Sequence, residues 1–342
     1  MEQKPSLKIV GLHVESLRAL RRVDWPADGN GWNGIVPDMV MVGGVNGSGK
    51  TTLLELIADA VRMLRGDGPV TWSNDDKVNA WVDLRLRSAP IGETHYRVLL
   101  GDAAFVRTNT TPVCTQFVRA PTGWQVATQG GLYESIHELI GPQFSRSELP
   151  RIMYFPTDRR LEIPAESFKV AGRIEDDDGF AYRFRAAKEW KDSLGALLYG
   201  ARWADLNAKE EGHPERAIHF ESYARAFQLF FGDAKHLTWH GGELFVEIAD
   251  TGALHPLMEL SSGEKQAIIF AAELYRRWRP GSLVLIDEPE LHFHTSWQTT
   301  LWTMLEQWQK ERGGQVIVTT QSTHLFRIAA PETTVLLGGP LG

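Results

Sequence analysis

The chain has 342 residues, 43% hydrophobic and 23% charged, with a formal net charge of -7, an ordinary globular composition with room for one large or two ordinary domains. That balance excludes an overall basic field drawing the chain to nucleic acid or anionic lipid, so any DNA contact must be local. A lone Cys114 excludes an internal disulfide, the opening MEQKPSLKIV lacks a secretory profile, and no apolar run reaches the roughly 18 residues that span a bilayer, so a soluble, cytoplasmic protein without a membrane partner is expected.

Apolar segments at 7–12 and 35–42, separated by a Gly/Asn/Asp-rich turn at 27–34, predict a hairpin-like prelude. The apolar run 39–42 then leads into Gly44, Val45, Asn46, Gly47, Ser48, Gly49, Lys50 and Thr51, followed by Thr52 and a helix-like stretch to residue 64. This is the G-x-x-x-x-G-K-[ST] phosphate loop between a strand and a helix, the context the motif requires. The glycines let successive N–H groups point inward at the positive end of a helix, so a polyphosphate fits there. Lys50 is expected on the β- and γ-phosphates and the Thr51 hydroxyl on Mg2+, with ATP as the nucleotide.

Residues 78–128 alternate in strand fashion with Gly and Pro between segments, predicting a strand-rich arm. Residues 150–156 read as a buried strand ending in the polar turn 157–160, and the acidic run 175–178 as a solvated loop. Helical spacing occupies 180–232, and residues 237–248 alternate again through Gly241 and Gly242. Twelve tryptophans are read as packing residues rather than base-stacking platforms, since basic residues do not regularly interleave with them.

Ser261, Ser262, Gly263 and Glu264 open an amphipathic stretch from 267 to 278, and serine followed three residues later by glutamate is a capping box. Leu283 to Ile286 then form an apolar strand ending in Asp287 and Glu288, a buried parallel strand delivering acids to the sheet edge. Asp287 is the expected magnesium ligand, and Glu288, pointing the other way along the strand, the base for an attacking water. Residues 315–320 read as another buried strand, with Gln321 and His324 after it. His292 and His294 lack a third ligand for a metal site.

The order of phosphate loop, Ser261–Gly263 segment and Asp287–Glu288 strand resembles the ABC-type ATPases in the variant of SMC, DNA-repair and OLD (overcoming lysogenization defect) relatives. Residues 289–298 look like the D-loop of the OLD-like group, with Thr295 where proline is usual. That resemblance implies an α/β P-loop NTPase with an ABC-ATPase-like head: a mixed or parallel core sheet flanked by helices, plus a strand-rich arm and a helical insertion. Residues 1–75 and 236–342 would form a discontinuous core, 76–149 the arm and 150–235 the insertion. It further implies that Ser261, Ser262 and Gly263 of one copy close on the nucleotide of another, giving an ATP-sandwich homodimer. Gln321 stands at the position where the family's histidine contacts the γ-phosphate, and glutamine hydrogen-bonds but takes no proton, so slow hydrolysis is expected. No OLD-type nuclease domain is expected after Gly342, which points to a separate effector protein, as in bacterial anti-phage systems. A DNA-repair ATPase, using Arg18, Arg21 and Arg22 or Arg276, Arg277 and Arg279, a transporter subunit and a non-hydrolysing scaffold are the alternatives.

Overall fold

The computed structural model describes residues 6–26, 36–64, 66, 77–88, 92–128, 152–157, 194–217, 219–261, 263–264, 267, 270–271, 274, 278–291, 293–329 and 334–337. In chain order the first half comprises β1 (Ser6–Leu17), β2 (Leu20–Trp25), β3 (Met39–Gly43), α1 (Lys50–Leu64), β4 (Asn79–Ser88), β5 (Gly92–Gly101), α2 (Ala103–Asn109), β6 (Cys114–Ala120), β7 (Gly123–Thr128) and β8 (Ile152–Phe155). The second comprises α3 (Leu194–Glu210), α4 (His219–Phe231), β9 (Lys235–His240), β10 (Glu243–Ile248), β11 (Ala253–Pro256), β12 (Leu283–Asp287), α5 (Thr295–Arg312), β13 (Gln315–Thr320), α6 (Thr323–Ile328) and β14 (Thr334–Leu336).

The strands β14-β3-β13-β12-β8 pair in that order, all parallel, into the core sheet. Both faces of this sheet are covered, which is why its strands read as unbroken apolar runs. Val40, Val42, Leu283, Leu285 and Ile317 join a core with α1, while Met41, Val284, Ile286, Val316 and Val318 face the opposite core with α5 and the helical residues Ala267, Phe270, Ala271 and Leu274. Side chains alternate across a strand, so Asp287 and Thr319, in step with Leu285 and Ile317, emerge on the α1 side at the carboxyl edge.

A second sheet runs β2-β1-β4-β5-β6-β7, antiparallel except for the parallel pair β5 and β6. Helix α1 lies between the two sheets and buries Leu53, Leu54, Leu56, Ile57, Val61 and Leu64 against them. Each such side chain contributes about 1.5–3 kcal/mol by leaving water. Buried Gln315 ties the sheets together: its Oε1 accepts from the Ile9 amide at 2.7 Å, and its Nε2 donates to the carbonyls of Ile9 and Pro37.

Two placements differ from the sequence grouping. Strands β1 and β2, counted there with the core, hydrogen-bond into the sheet of the strand-rich arm, and β8, counted with the helical insertion, is the edge strand of the core sheet beside β12. Neither strand order is written in local pattern, because both pairings join segments distant in sequence. Helix α2 interrupts the run expected to be all strand. Asp102 caps it by accepting from the amides of Ala104 and Phe105, both at 2.9 Å, and that cap outweighs the weak helix preference of its Phe, Val and Thr.

Helices α3 and α4 fall in the stretch expected to be helical and are joined by buried Asp205, whose carboxylate accepts from the amides of His219 and Phe220. The acidic run 175–178 and residues 180–193 lie outside the described residues. Trp278, Trp302 and Trp308 are buried core residues, and the Trp278 and Trp308 rings meet edge to face; Trp72 and Trp190 lie outside the described residues. No described helix is long and apolar enough to cross a membrane.

Candidate nucleotide site

The phosphate loop follows β3 and ends where α1 begins at Lys50. Gly47 has φ +81°, a left-handed conformation that glycine adopts freely, and a Cβ added there would meet nothing within 4 Å. Gly49 has φ +95°, and a Cβ there would lie 2.3 Å from Leu20 Cδ2, so the β1–β2 hairpin presses directly on the loop. Ser48 Oγ is buried and has no hydrogen-bond partner among the described residues. An orphaned hydroxyl inside a loop of inward-curled backbone is a fit for a phosphate oxygen.

Lys50 is 5% exposed. Its Nζ donates to the carbonyls of Gly44 at 2.9 Å and Val45 at 3.3 Å and lies 3.1 Å from Glu288 Oε1. The ammonium thus sits across the loop's mouth, facing the acid at the end of β12.

Asp287 is fully buried and is the hub of the site. Its Oδ2 accepts from Thr51 Oγ1 at 2.7 Å and from Thr157 Oγ1, and its Oδ1 accepts from Thr319 Oγ1. Three hydroxyls on α1, after β8 and on β13 therefore hold one carboxylate in place. The Thr51 hydroxyl and the Asp287 carboxylate are hard oxygen donors side by side, the donor chemistry that Mg2+ takes alongside phosphate oxygens. Among the described residues no cluster of three or more His, Cys, Asp or Glu side chains is poised to hold a metal.

Glu288 adopts φ +43°, a strained conformation for a residue with a side chain. Its amide holds the turn by donating to the Thr319 carbonyl at 3.0 Å and to Thr319 Oγ1 at 3.2 Å. The kink separates the paths of Asp287 and Glu288, leaving one carboxylate among hydroxyls and the other beside Lys50.

Glu290 is buried as well. Its Oε1 accepts from Thr320 Oγ1 and, at 2.9 Å, from the amide of Gln321, while Oε2 has no partner among the described residues. Burial pushes this carboxyl above its usual range, against the hydrogen bonds that lower it. Gln321 is exposed and hangs from this bond. His324 lies on α6, where its Nε2 meets Thr299 Oγ1 at 2.8 Å. His294 caps α5 by accepting from the Ser296 amide; His292 lies outside the described residues.

The Ser261 segment forms the reciprocal capping box. The Ser261 amide donates to Glu264 Oε2 at 2.8 Å, and the Glu264 amide donates to Ser261 Oγ at 3.3 Å. Burial disfavours the charged Glu264, but hydrogen bonds from Lys235 and Ser261 outweigh it and hold the carboxyl below its usual range. Ser261 is exposed and Gly263 buried; Ser262 lies outside the described residues.

The loop (Gly44, Asn46, Gly47, Ser48, Gly49), Lys50, Thr51, Asp287 and Glu288 thus share the carboxyl edge of the core sheet, and the Gln321 backbone joins them through Glu290. Sequence reading missed Thr319 and Glu290, and named Thr157 only within the polar turn 157–160 as a segment near the nucleotide. The available signals were a threonine near the carboxyl end of each buried strand, Thr157 just past β8 and Thr319 within β13, and a third carboxylate three residues past Asp287.

Residues 244–327 match the domain family described as "AAA domain, putative AbiEii toxin, Type IV TA system". No curated protein matches the chain significantly. Among solved structures, an SMC head bound to the C-winged helix domain of ScpA is similar at 14% identity over 94% of this chain and 92% of that one, with a TM-score of 0.51. The SMC head domain from Thermotoga maritima shares 14% identity over the same shares of each chain, with a TM-score of 0.45. A bacterial ABC transporter cassette, solved as a dimer, shares 14% over 97% and 96%, with a TM-score of 0.38. With its five-stranded parallel sheet, phosphate loop and strand-terminal acids, the chain has the α/β P-loop fold of the SMC head.

Proposed function

We propose that the chain binds ATP with Mg2+ and hydrolyses it, and that ATP closes two copies around two nucleotides to regulate a separate effector. The observation that carries the reading is the convergence of Lys50, Thr51, Asp287 and Glu288 on one phosphate loop, contributed by two segments more than two hundred residues apart. Loop amides and Lys50 bind the β- and γ-phosphates, each charge-assisted bond contributing about 1.5–3 kcal/mol. Thr51 and Asp287 would hold Mg2+, which supplies charge neutralisation to the phosphate oxygens. Glu288 orients the attacking water and takes its proton, and the strained turn at φ +43° keeps that carboxylate turned toward Lys50. Gln321, held through its amide, contacts the γ-phosphate without accepting a proton, so turnover is slow.

Ser261, Ser262 and Gly263 seal the nucleotide of the opposite copy. The exposed, capped helix start at Ser261 supports this, because a helix N-terminus receives phosphate. The separate effector and an anti-phage setting rest on the resemblance of residues 289–298 to the OLD-like group. A DNA-maintenance role is the second reading, favoured by the likeness to an SMC head.

The experiment is ATP turnover with Mg2+ by the purified chain together with its mass in solution with and without ATP. Phosphate release abolished in Glu288→Gln, with an ATP-dependent doubling of mass, is the expected result. Absence of ATP binding overturns the nucleotide reading, and ATP-dependent retention on DNA that weakens with salt favours the second role.

A further inference from the structure

A second charged concavity lies at the opposite edge of the core sheet. Asp38 directly precedes β3, which ends at Gly43 beside the phosphate loop, so about five residues of strand, roughly 16 Å, separate the two places. The crevice holds about 250 Å³ and is lined by Lys8, Asp38, Arg85, Arg87 and Arg312, with Gly313 and Gly314 adding backbone.

Four of these side chains are cations, brought by β1, β4 and α5, and the one acid, Asp38, directly precedes β3. On the β1–β4 pair Lys8 stands directly opposite Arg85, and Ser6 opposite Arg87. Like charges directly opposite on a sheet destabilise it, so the arrangement costs stability unless something negative lies between them. The acids at hand do not supply enough charge. Asp38 is engaged by Lys8 and Glu93 by Arg87, while Arg85 makes no ion pair of its own among the described residues and shares only the field of Glu93. Arg312, the last residue of α5, closes the crevice from the far wall. Its guanidinium is aimed by a 3.1 Å bond to the Trp278 carbonyl and by the Trp308 ring 5.4 Å away. This concentration of positive charge occurs in a chain of net charge -7.

We propose that this crevice is a binding site for a small phosphate-bearing molecule, separate from the nucleotide site. Guanidinium forks match phosphate oxygens two at a time, and two arginines and a lysine on opposing walls suit a compact dianion. The half-open crevice has room for one or two phosphate groups. A nucleic acid would need a basic track beyond the crevice, and the net acidity of the chain works against it.

Calorimetric titration of inorganic phosphate at low ionic strength tests the site in the full-length Lys50→Ala chain, where the phosphate loop is disabled. One site is expected there, with a phosphate-dependent rise in melting temperature. Arg85→Ser and Arg312→Gln should each weaken it about tenfold or more, and Arg85→Glu, which pairs with Lys8, should abolish it while leaving the phosphate-free melting temperature equal or higher. The same substitutions with Lys50 intact should bind ATP as the parent does, which certifies folding. The proposal falls if phosphate binding disappears with Lys50 alone, if a folded Arg85→Glu chain keeps full phosphate affinity, or if an oligonucleotide but not inorganic phosphate binds in an Arg85-dependent way. Failure of the parent to bind ATP would overturn the nucleotide reading and leave this titration intact.

Discussion

Asp287 is fully buried and accepts bonds from three threonine hydroxyls, whereas Ser261 is exposed and exchanges its hydroxyl and amide with Glu264 of the same turn. The phosphate-loop half is thus fixed by long-range contacts inside one chain. The serine half is fixed only locally and presents a ready helix start outward. On the proposed reading, the difference assigns nucleotide binding to a single copy and leaves to a second copy only the completion of the pocket. Substitutions should separate the two halves.

The largest expected effect is at Glu288. Glu288→Gln keeps the side chain's shape and removes its basicity, so ATP turnover should drop about 10²–10⁴-fold. ATP affinity should stay within a few fold, measured by calorimetry beside steady-state phosphate release. An equal loss of both would mean that Glu288 holds the loop through Lys50 and does not act on water. On the other half, Ser261→Arg should leave ATP affinity of the single copy unchanged and abolish ATP-dependent doubling of mass in light scattering. Weakened binding by the monomer would erase the contrast between the halves.

The same contrast decides what was legible in the sequence. Gly44 to Thr51 and the pair Asp287 and Glu288 are contiguous because one turn and one strand end must deliver them together, so spacing reveals them. Ser261 and Glu264 are three residues apart for the same local reason. Thr157 and Thr319 reach Asp287 only because β8 and β13 flank β12, and no local pattern states that order. The polar Gln315, buried among apolar residues and joining two sheets, is equally invisible to periodicity. Helix α2 was hidden because its residues favour strands and only Asp102, as a cap, argues otherwise.

Glu290 tests how tightly the first half is joined to the switch. Its Oε1 holds both Thr320 Oγ1 and the Gln321 amide. Glu290→Ala strips an acceptor from the buried Thr320 hydroxyl and from the part-buried Gln321 amide, and a buried donor left unsatisfied costs about 1–3 kcal/mol. Stability in urea should fall accordingly, and turnover should fall about tenfold. Glu290→Gln retains the acceptor oxygen and should recover most of both. If Gln321→Ala slows turnover and Glu290→Ala adds nothing to it, the two act as one unit.

The smallest effect concerns Glu55, on α1 one turn beyond Thr51. Burial pushes its carboxyl up from 4.5 to about 7; Arg18, whose Nη1 lies 2.8 Å from Glu55 Oε2, works against this, and the nearby Asp59 and Asp287 add to it. Below pH 4.5 Glu55 is protonated whether the chain is folded or not. Between 4.5 and 7 the folded chain keeps a proton that the unfolded chain has released, so stability must decline as pH rises through that window. With the screening a partly exposed group enjoys, the decline should amount to about 1–2 kcal/mol. Glu55→Gln should remove this component from urea midpoints taken at pH 5 and pH 8. Were the Arg18 ion pair the stronger influence, the slope attributable to Glu55 would have the opposite sign. The Arg18→Ala chain separates the influences further: loss of the cation raises the carboxyl's affinity for its proton and should steepen the decline, extending it to higher pH.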